Sequence, residues 1–289
     1  MSEKYQDILD FAYELAEKAT ALILKASAER WKNTEDVEQK KNSVDLVTET
    51  DQAVEEMIKT AVAEKYPSHK FKNALYSKLR ISPSVACSIG VAHKSKPVVG
   101  VIAQPFLNQI LSARLGGGAF MNKTIPLPLT GGIPQPLTEL SKCMIGAEWG
   151  SDRTQQTFVK KTASFARLAG DPSKGVNGGV MAHALRTTGS TACNVASIAA
   201  GQLDVYWDAG CFPWDVCAGA IIVSEIGGFF SGGKDAFERE ADMPEILMGR
   251  RYIFIRALPP SKTETTIQIQ KRLAKELYET VEEWTNEDM

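Results

Sequence analysis

Residues 211–228, Cys-Phe-Pro-Trp-Asp-Val-Cys-Ala-Gly-Ala-Ile-Ile-Val-Ser-Glu-Ile-Gly-Gly, constrain the fold of this chain more than any other stretch. A Pro-Trp-Asp turn opens it, an apolar run follows with no effective breaker, and a Gly pair closes it. That pattern predicts a buried helix, because an apolar helix without a polar face has to be enclosed. Asp215 falls near the N-cap and is held at the helix mouth.

The rest of the chain bounds what can meet that carboxylate. A length of 289 residues, 44% hydrophobic and 24% charged, can bury a large core, either as one compact unit or as two closely packed lobes. Lys and Arg total 33 against 35 Asp and Glu, and a net charge of -2 gives no overall attraction to nucleic acid or to an anionic membrane. The opening residues carry no basic region followed by an apolar core, and no run approaches the roughly 20 apolar residues that span a bilayer. The expectation is a cytoplasmic protein without nucleic-acid or membrane partners. Cys87, Cys143, Cys193, Cys211 and Cys217 are scattered, with no Cys-x-x-Cys pair, and read as reduced, packed thiols rather than zinc ligands. His69, His93 and His183 lie far apart, against His-based catalysis.

In chain order, Tyr5, Ile8, Leu9, Ala12, Leu15, Ala16, Ala19, Leu22 and Ile23 recur at three- and four-residue steps and predict a long amphipathic helix. Residues 32–43 read as an exposed loop. A second helical stripe covers residues 52–66, with Asp51 at its first turn and Pro67 as its stop. Residues 84–92, 97–102 and 109–114 read as strands, and Gly116-Gly117-Gly118-Ala119-Phe120 as a tight bend, a plain turn between strands, since no Lys-Ser/Thr follows it. Residues 124–138, rich in Pro and Gly, suggest a boundary between an N-terminal lobe (1–138) and a C-terminal lobe (139–289). The second half alternates strand (143–147), helix (154–169), helix (189–200) and strand (205–207) before the opening stretch, and a closing helix follows residue 261. Such alternation predicts an α/β layered fold.

Three features of the second half could line one site. Arg186-Thr187-Thr188-Gly189-Ser190-Thr191 precedes a helix, where free backbone N–H groups and hydroxyls welcome an anion or a polyol; an ordinary Ser/Thr cap would carry the same residues. Asp208 lies seven residues before Asp215 across a Gly-containing turn, where it could also be a solvated loop acid. Glu148-Trp149-Gly150-Ser151-Asp152-Arg153 reads as a strand-end loop, the usual building place of α/β sites.

Five segments carry a family resemblance: Val44-Asp45-Leu46-Val47-Thr48-x-Thr50-Asp51, Lys65-Tyr66-Pro67-Ser68-His69-x-Phe71, Gly146-x-Glu148-Trp149-Gly150-Ser151-x-Arg153, Gly189-Ser190-x-Ala192 and Trp214-Asp215-x-x-Ala218-Gly219. Together they resemble the inositol monophosphatase family over most of the chain. The resemblance implies a layered α/β/α/β/α sandwich that commonly forms a homodimer. It also implies hydrolysis of inositol monophosphate, or another sugar phosphate, with Mg²⁺ as cofactor and inhibition by Li⁺. Carried onto this sequence, Asp215 resembles a metal ligand and Asp51 an outer carboxylate near the metals. Asp208 resembles the acid that holds substrate hydroxyls, and Gly189, Ser190 and Thr191 the edge that meets the substrate ring.

The chain departs from that family after Phe71. A Gly-Glu-Glu segment and an Asp-Pro-Ile-Asp-Gly-Thr-Thr-Asn segment, which supply most of the family's metal ligands, are absent. Residues 72–83 run straight into the strand that begins at Ser84, and part of the first sheet is expected to be missing with them. The 74 residues between Glu64 and Glu139 contain no Asp or Glu, where an even spread of the chain's 35 acids would put about nine, and they contain nine Lys and Arg. Mg²⁺ wants several oxygen ligands in near-octahedral geometry and sheds water reluctantly, so Asp215 and Asp51 alone predict weak binding. Three readings follow from the sequence: a Mg²⁺-dependent phosphomonoesterase by descent, a catalytically silent polyol-phosphate-binding module, or a splice or gene-model form of an active enzyme.

Overall fold

The computed structural model describes residues 3–30, 38–39, 46–47, 49–70, 84–150 and 152–283. Helix α1 (Gln6–Arg30) follows the predicted spacing and buries Ala12, Leu15, Ala16, Ala19 and Ile23. Strands β1 (Glu38–Gln39) and β2 (Leu46–Val47) pair antiparallel, and helix α2 (Glu49–Lys65) begins three residues earlier than its apolar stripe suggests. The remainder of the 32–43 loop, the Val44, Asp45 and Thr48 positions of the first motif, Phe71, residues 72–83 and Ser151 lie outside the described residues.

The first sheet is an antiparallel meander in sequence order: β3 (Cys87–His93), β4 (Lys96–Gln104), β5 (Gln109–Arg114), β6 (Ala119–Met121) and β7 (Ile125–Pro126). Strand β4 is buried along nearly its whole length because both of its faces are covered. Val99, Val101 and Ala103 meet the apolar face of α1 and α2, while Ile102 points the opposite way into the central core, as the two-residue period of a strand requires.

The second sheet holds β8 (Met144–Ala147), β9 (Ala184–Arg186), β10 (Val205–Ala209), β11 (Phe229–Gly232) and β12 (Arg251–Ile255), in the spatial order β11-β12-β10-β8-β9. The β10–β8 and β8–β9 pairs are parallel, and β12 runs antiparallel to both β10 and β11. Helix α3 (Gln155–Ala169) carries the chain from β8 to β9; α4 (Thr191–Ala200) and α5 (Pro213–Glu225) flank β10; α6 (Lys234–Glu238) and α7 (Met243–Met248) lead into β12; α8 (Thr266–Thr280) closes the chain.

Two periodicities sort these elements into layers. On β10, Tyr206 faces the core shared with α4 and α5, while Val205, Trp207 and Ala209 face the core built on Leu273, Ala274 and Leu277 of α8. Helices α4 and α5 therefore lie between the two sheets, α1 and α2 cover the outside of the first, and α3 and α8 the outside of the second. The predicted α/β/α/β/α sandwich is the observed fold. Strands β1, β2, β6, β9, β11 and β12 and helices α6 and α7 were not read from the sequence, and Ala119 and Phe120, expected in the bend, belong to β6. Residues 124–138 contain a short strand, β7, where only a Pro/Gly-rich connection was expected.

Helix α5 approaches the first sheet so closely because of two glycines that face each other across β3 and β4 in register, Gly90 and Gly100. A Cβ on Gly100 would stand 2.3 Å from the Ala218 carbonyl oxygen, and one on Gly90 would stand 2.8 Å from the Ala218 nitrogen. The Gly116-Gly117-Gly118 bend is a turn as read, but its Gly116 and Gly118 N–H groups each donate at 2.8 Å to the Glu225 carboxylate at the end of α5. The anion-binding geometry of a glycine run is thus satisfied within the chain.

Candidate functional site

Parallel pairing brings the site together. On β8 and β10, Ala147 is opposite Trp207, and on β8 and β9, Gly146 is opposite Arg186. One or two residues further along, Asp208, Glu148 and Thr188 therefore emerge side by side at the carboxyl ends of three adjacent strands. Sites in α/β sheets form at such strand ends. Asp208 is the fourth residue of β10 and is 5% exposed, so the solvated loop acid foreseen as one possibility is instead a buried strand residue.

Asp208 Oδ2 accepts from the Tyr206 hydroxyl at 2.7 Å and from the Thr191 hydroxyl at 3.2 Å. Burial lifts its carboxyl from an ordinary 3.8 to about 6, against the pull of the Tyr206 hydroxyl. Glu148, also buried, accepts from the Thr188 and Gly189 backbone N–H groups, both at 2.8 Å, and from Asn194 Nδ2 at 2.7 Å. The carboxylate thereby moulds the loop that leads into α4. Gly189 takes a positive φ of 78°, and Ser190 caps the helix by accepting from Cys193 N at 3.4 Å. Gly189, Ser190, Thr191 and Asp208 thus lie at one strand end, and Ser190 is the N-cap that the sequence also allowed.

The two expected metal residues are arranged differently. Asp215 lies in the first turn of α5 rather than at its cap, which is Phe212, and its Oδ2 accepts from the Phe212 N–H at 2.7 Å. Asp51 is buried in the first turn of α2. Among the described residues, no group of three or more His, Cys, Asp or Glu side chains could hold a metal ion. Residues 65–138 contribute no carboxylate, whatever their conformation. Glu148 and Asp208 already serve as acceptors for protein donors. A hard divalent cation needs more free oxygen ligands than this, so the described residues do not fit Mg²⁺.

Sequence reasoning passed over Tyr206, Asn194 and Lys161, and it took Glu148 only as part of a motif. A signal for Lys161 was present: Thr157, Lys161, Ser164 and Leu168, at steps of four, three and four, form the buried stripe of α3. The five cysteines are free thiols, and burial pushes Cys87 up to about 12 and Cys217 up to about 11, as inert packed thiols would be.

A sequence profile of the Inositol monophosphatase family matches residues 4–74 and 78–282. The chain belongs to this family. It is 36% identical over 310 aligned positions to "Protein qutG" of Emericella nidulans, covering 95% of this chain and 93% of that one. To "Quinic acid degradation cluster protein x" of Neurospora crassa it is 30% identical over 319 positions, covering 95% and 94%. Both alignments exceed the 289 residues of this chain, so each relative carries residues without a counterpart here. The fold is that of the inositol monophosphatase from Anabaena, with a TM-score of 0.70 at 22% identity over 96% of this chain and 97% of that one. Membership makes the chain a relative of phosphatase hydrolases, in a family that is generally Mg²⁺-dependent. No helix among the described residues is long and apolar enough to cross a membrane.

Proposed function

We propose that this chain binds a phosphorylated cyclohexane polyol at the ends of β8, β9 and β10 and, in this form, does not hydrolyse it. What supports the reading is one contrast. At these strand ends Asp208 and Glu148 are buried and oriented by Tyr206, Thr191, Asn194 and the Gly189 loop, which would form the edge that meets the polyol. The carboxylates that would supply the chemistry are absent from residues 65–138. The Tyr206 and Thr191 hydroxyls both donate to Asp208 Oδ2, which fixes the carboxylate at the strand end where a ligand hydroxyl would meet it. Carboxylates paired with ring hydroxyls give charge-assisted hydrogen bonds and demand a polyol rather than an apolar ring. Inositol, in the family's name, and quinic acid, in a relative's, are both polyhydroxylated cyclohexanes, and the ring is the shared chemistry.

A second reading keeps the family's reaction, hydrolysis of inositol monophosphate to inositol and phosphate. Family membership favours it. Phosphate release from inositol monophosphate, with and without Mg²⁺, separates the two, alongside calorimetric binding of the same compound. Binding without turnover is the expected result. Mg²⁺-dependent turnover that Asp215→Asn abolishes would overturn the silent reading, and absence of both binding and turnover would remove either function. Sequencing the transcript across residues 71–84 tests whether a longer form carries the missing acids.

A further inference from the structure

Lys161 is the only buried lysine among the described residues, at 1% exposure. It projects from the middle of α3 and donates from Nζ to the Trp149 carbonyl, in the loop that leaves β8 directly after Glu148. Gly150, at φ +63°, lies so close that an added Cβ would stand 3.1 Å from Nζ. The charged groups facing the ammonium are Asp208 from β10, Arg153 and Asp152 from the loop before α3, and Glu148 from the end of β8. Those facing Asp208 are the Tyr206 and Thr191 hydroxyls, Glu148, Lys161 and the Cys211 thiol.

Holding one backbone carbonyl does not require a cation, since a neutral amide could donate there without the cost of burying a charge. Asp208, buried beside a second acid, does gain from one, because desolvation and a neighbouring like charge both disfavour its ionised form. We infer that Lys161 is a positioning residue of the proposed polyol site: anchored to the Trp149 carbonyl beside Glu148, its buried ammonium is the counter-charge that keeps Asp208 an ionised hydroxyl acceptor. The inference rests on the polyol reading only for what Asp208 accepts. The electrostatic coupling belongs to the protein itself.

The test pairs wild type with Lys161→Met, which removes the charge and keeps the length. Unphosphorylated myo-inositol is the probe, because it does not titrate. Carbon NMR of the Asp208 carboxyl should show its titration midpoint rising by about one unit in the variant. Calorimetric affinity for myo-inositol should be roughly fivefold weaker near pH 6 and converge with wild type near pH 9. An unmoved Asp208 midpoint, or an affinity deficit of equal size at every pH, would reduce Lys161 to a loop prop and overturn the inference. If Lys161→Met does not fold, Asp208→Asn reads the coupling from the other side: the Lys161 ammonium midpoint should fall, and an unmoved value overturns the inference. Failure of wild type to bind myo-inositol at any pH sinks the polyol reading, and the carboxyl midpoint still decides this one.

Discussion

Asp208 shows at the scale of one residue how a site is held at a cost to the fold. Its folded value near 6 exceeds the unfolded value near 3.8, so the native state binds the proton more tightly. The stability this confers is fully present below about 4 and is lost as pH rises through about 6, a swing of roughly 3 kcal/mol. Asp208→Asn removes the titration. The melting temperature of wild type relative to the variant should therefore rise as pH falls from 7 to 4, as calorimetric scans across that window would show, and parallel profiles would refute the assignment. Glu148 works differently, since it satisfies two buried N–H groups and an amide at once. Glu148→Ala strands those donors and should cost about 3–5 kcal/mol in a denaturant titration. A loss below about 1 kcal/mol would mean the loop re-forms without it.

Among elements, α5 decides most, because it fills the space between the sheets. Its apolar faces were legible in the sequence: Val216, Ala218, Ala220, Ile222 and Val223 leave no side for water. The seat it occupies was not. Gly90 and Gly100 are ten residues apart in the chain and become one groove only when β3 and β4 pair in register. Gly100→Ala pushes a methyl against the Ala218 carbonyl and should destabilise by about 1–3 kcal/mol, read as a lower denaturant midpoint at unchanged m-value. Glu225 ties the far end of the same helix to the Gly116–Gly118 bend, so the glycine run serves as a clasp between layers. Strand β11 escaped sequence reading because it is four residues long, follows the Gly227-Gly228 pair and ends on Gly232.

For the whole molecule, the family's layered architecture persists although residues 65–138 hold no carboxylate. Millimolar Mg²⁺ should leave the melting temperature unchanged, since a cation that finds no site in the native state adds no linkage stabilisation. A thermal shift of several degrees that disappears in Asp215→Asn would show that the two remaining acids suffice. The sequence by itself determined the layered class, the buried helix over 213–225 and the absence of any carboxylate over 65–138, because hydrophobic period and composition are properties of the chain alone. Only tertiary structure decided that Asp208, Glu148 and Thr188 form one row and that Lys161 lies against it. Those groups come from β10, β8, the loop after β9 and α3, and their proximity is created by parallel strand register, which local sequence does not encode. Asp215, the residue at the mouth of the central helix, reveals the family in one dimension; in three dimensions it closes the first turn of its own helix.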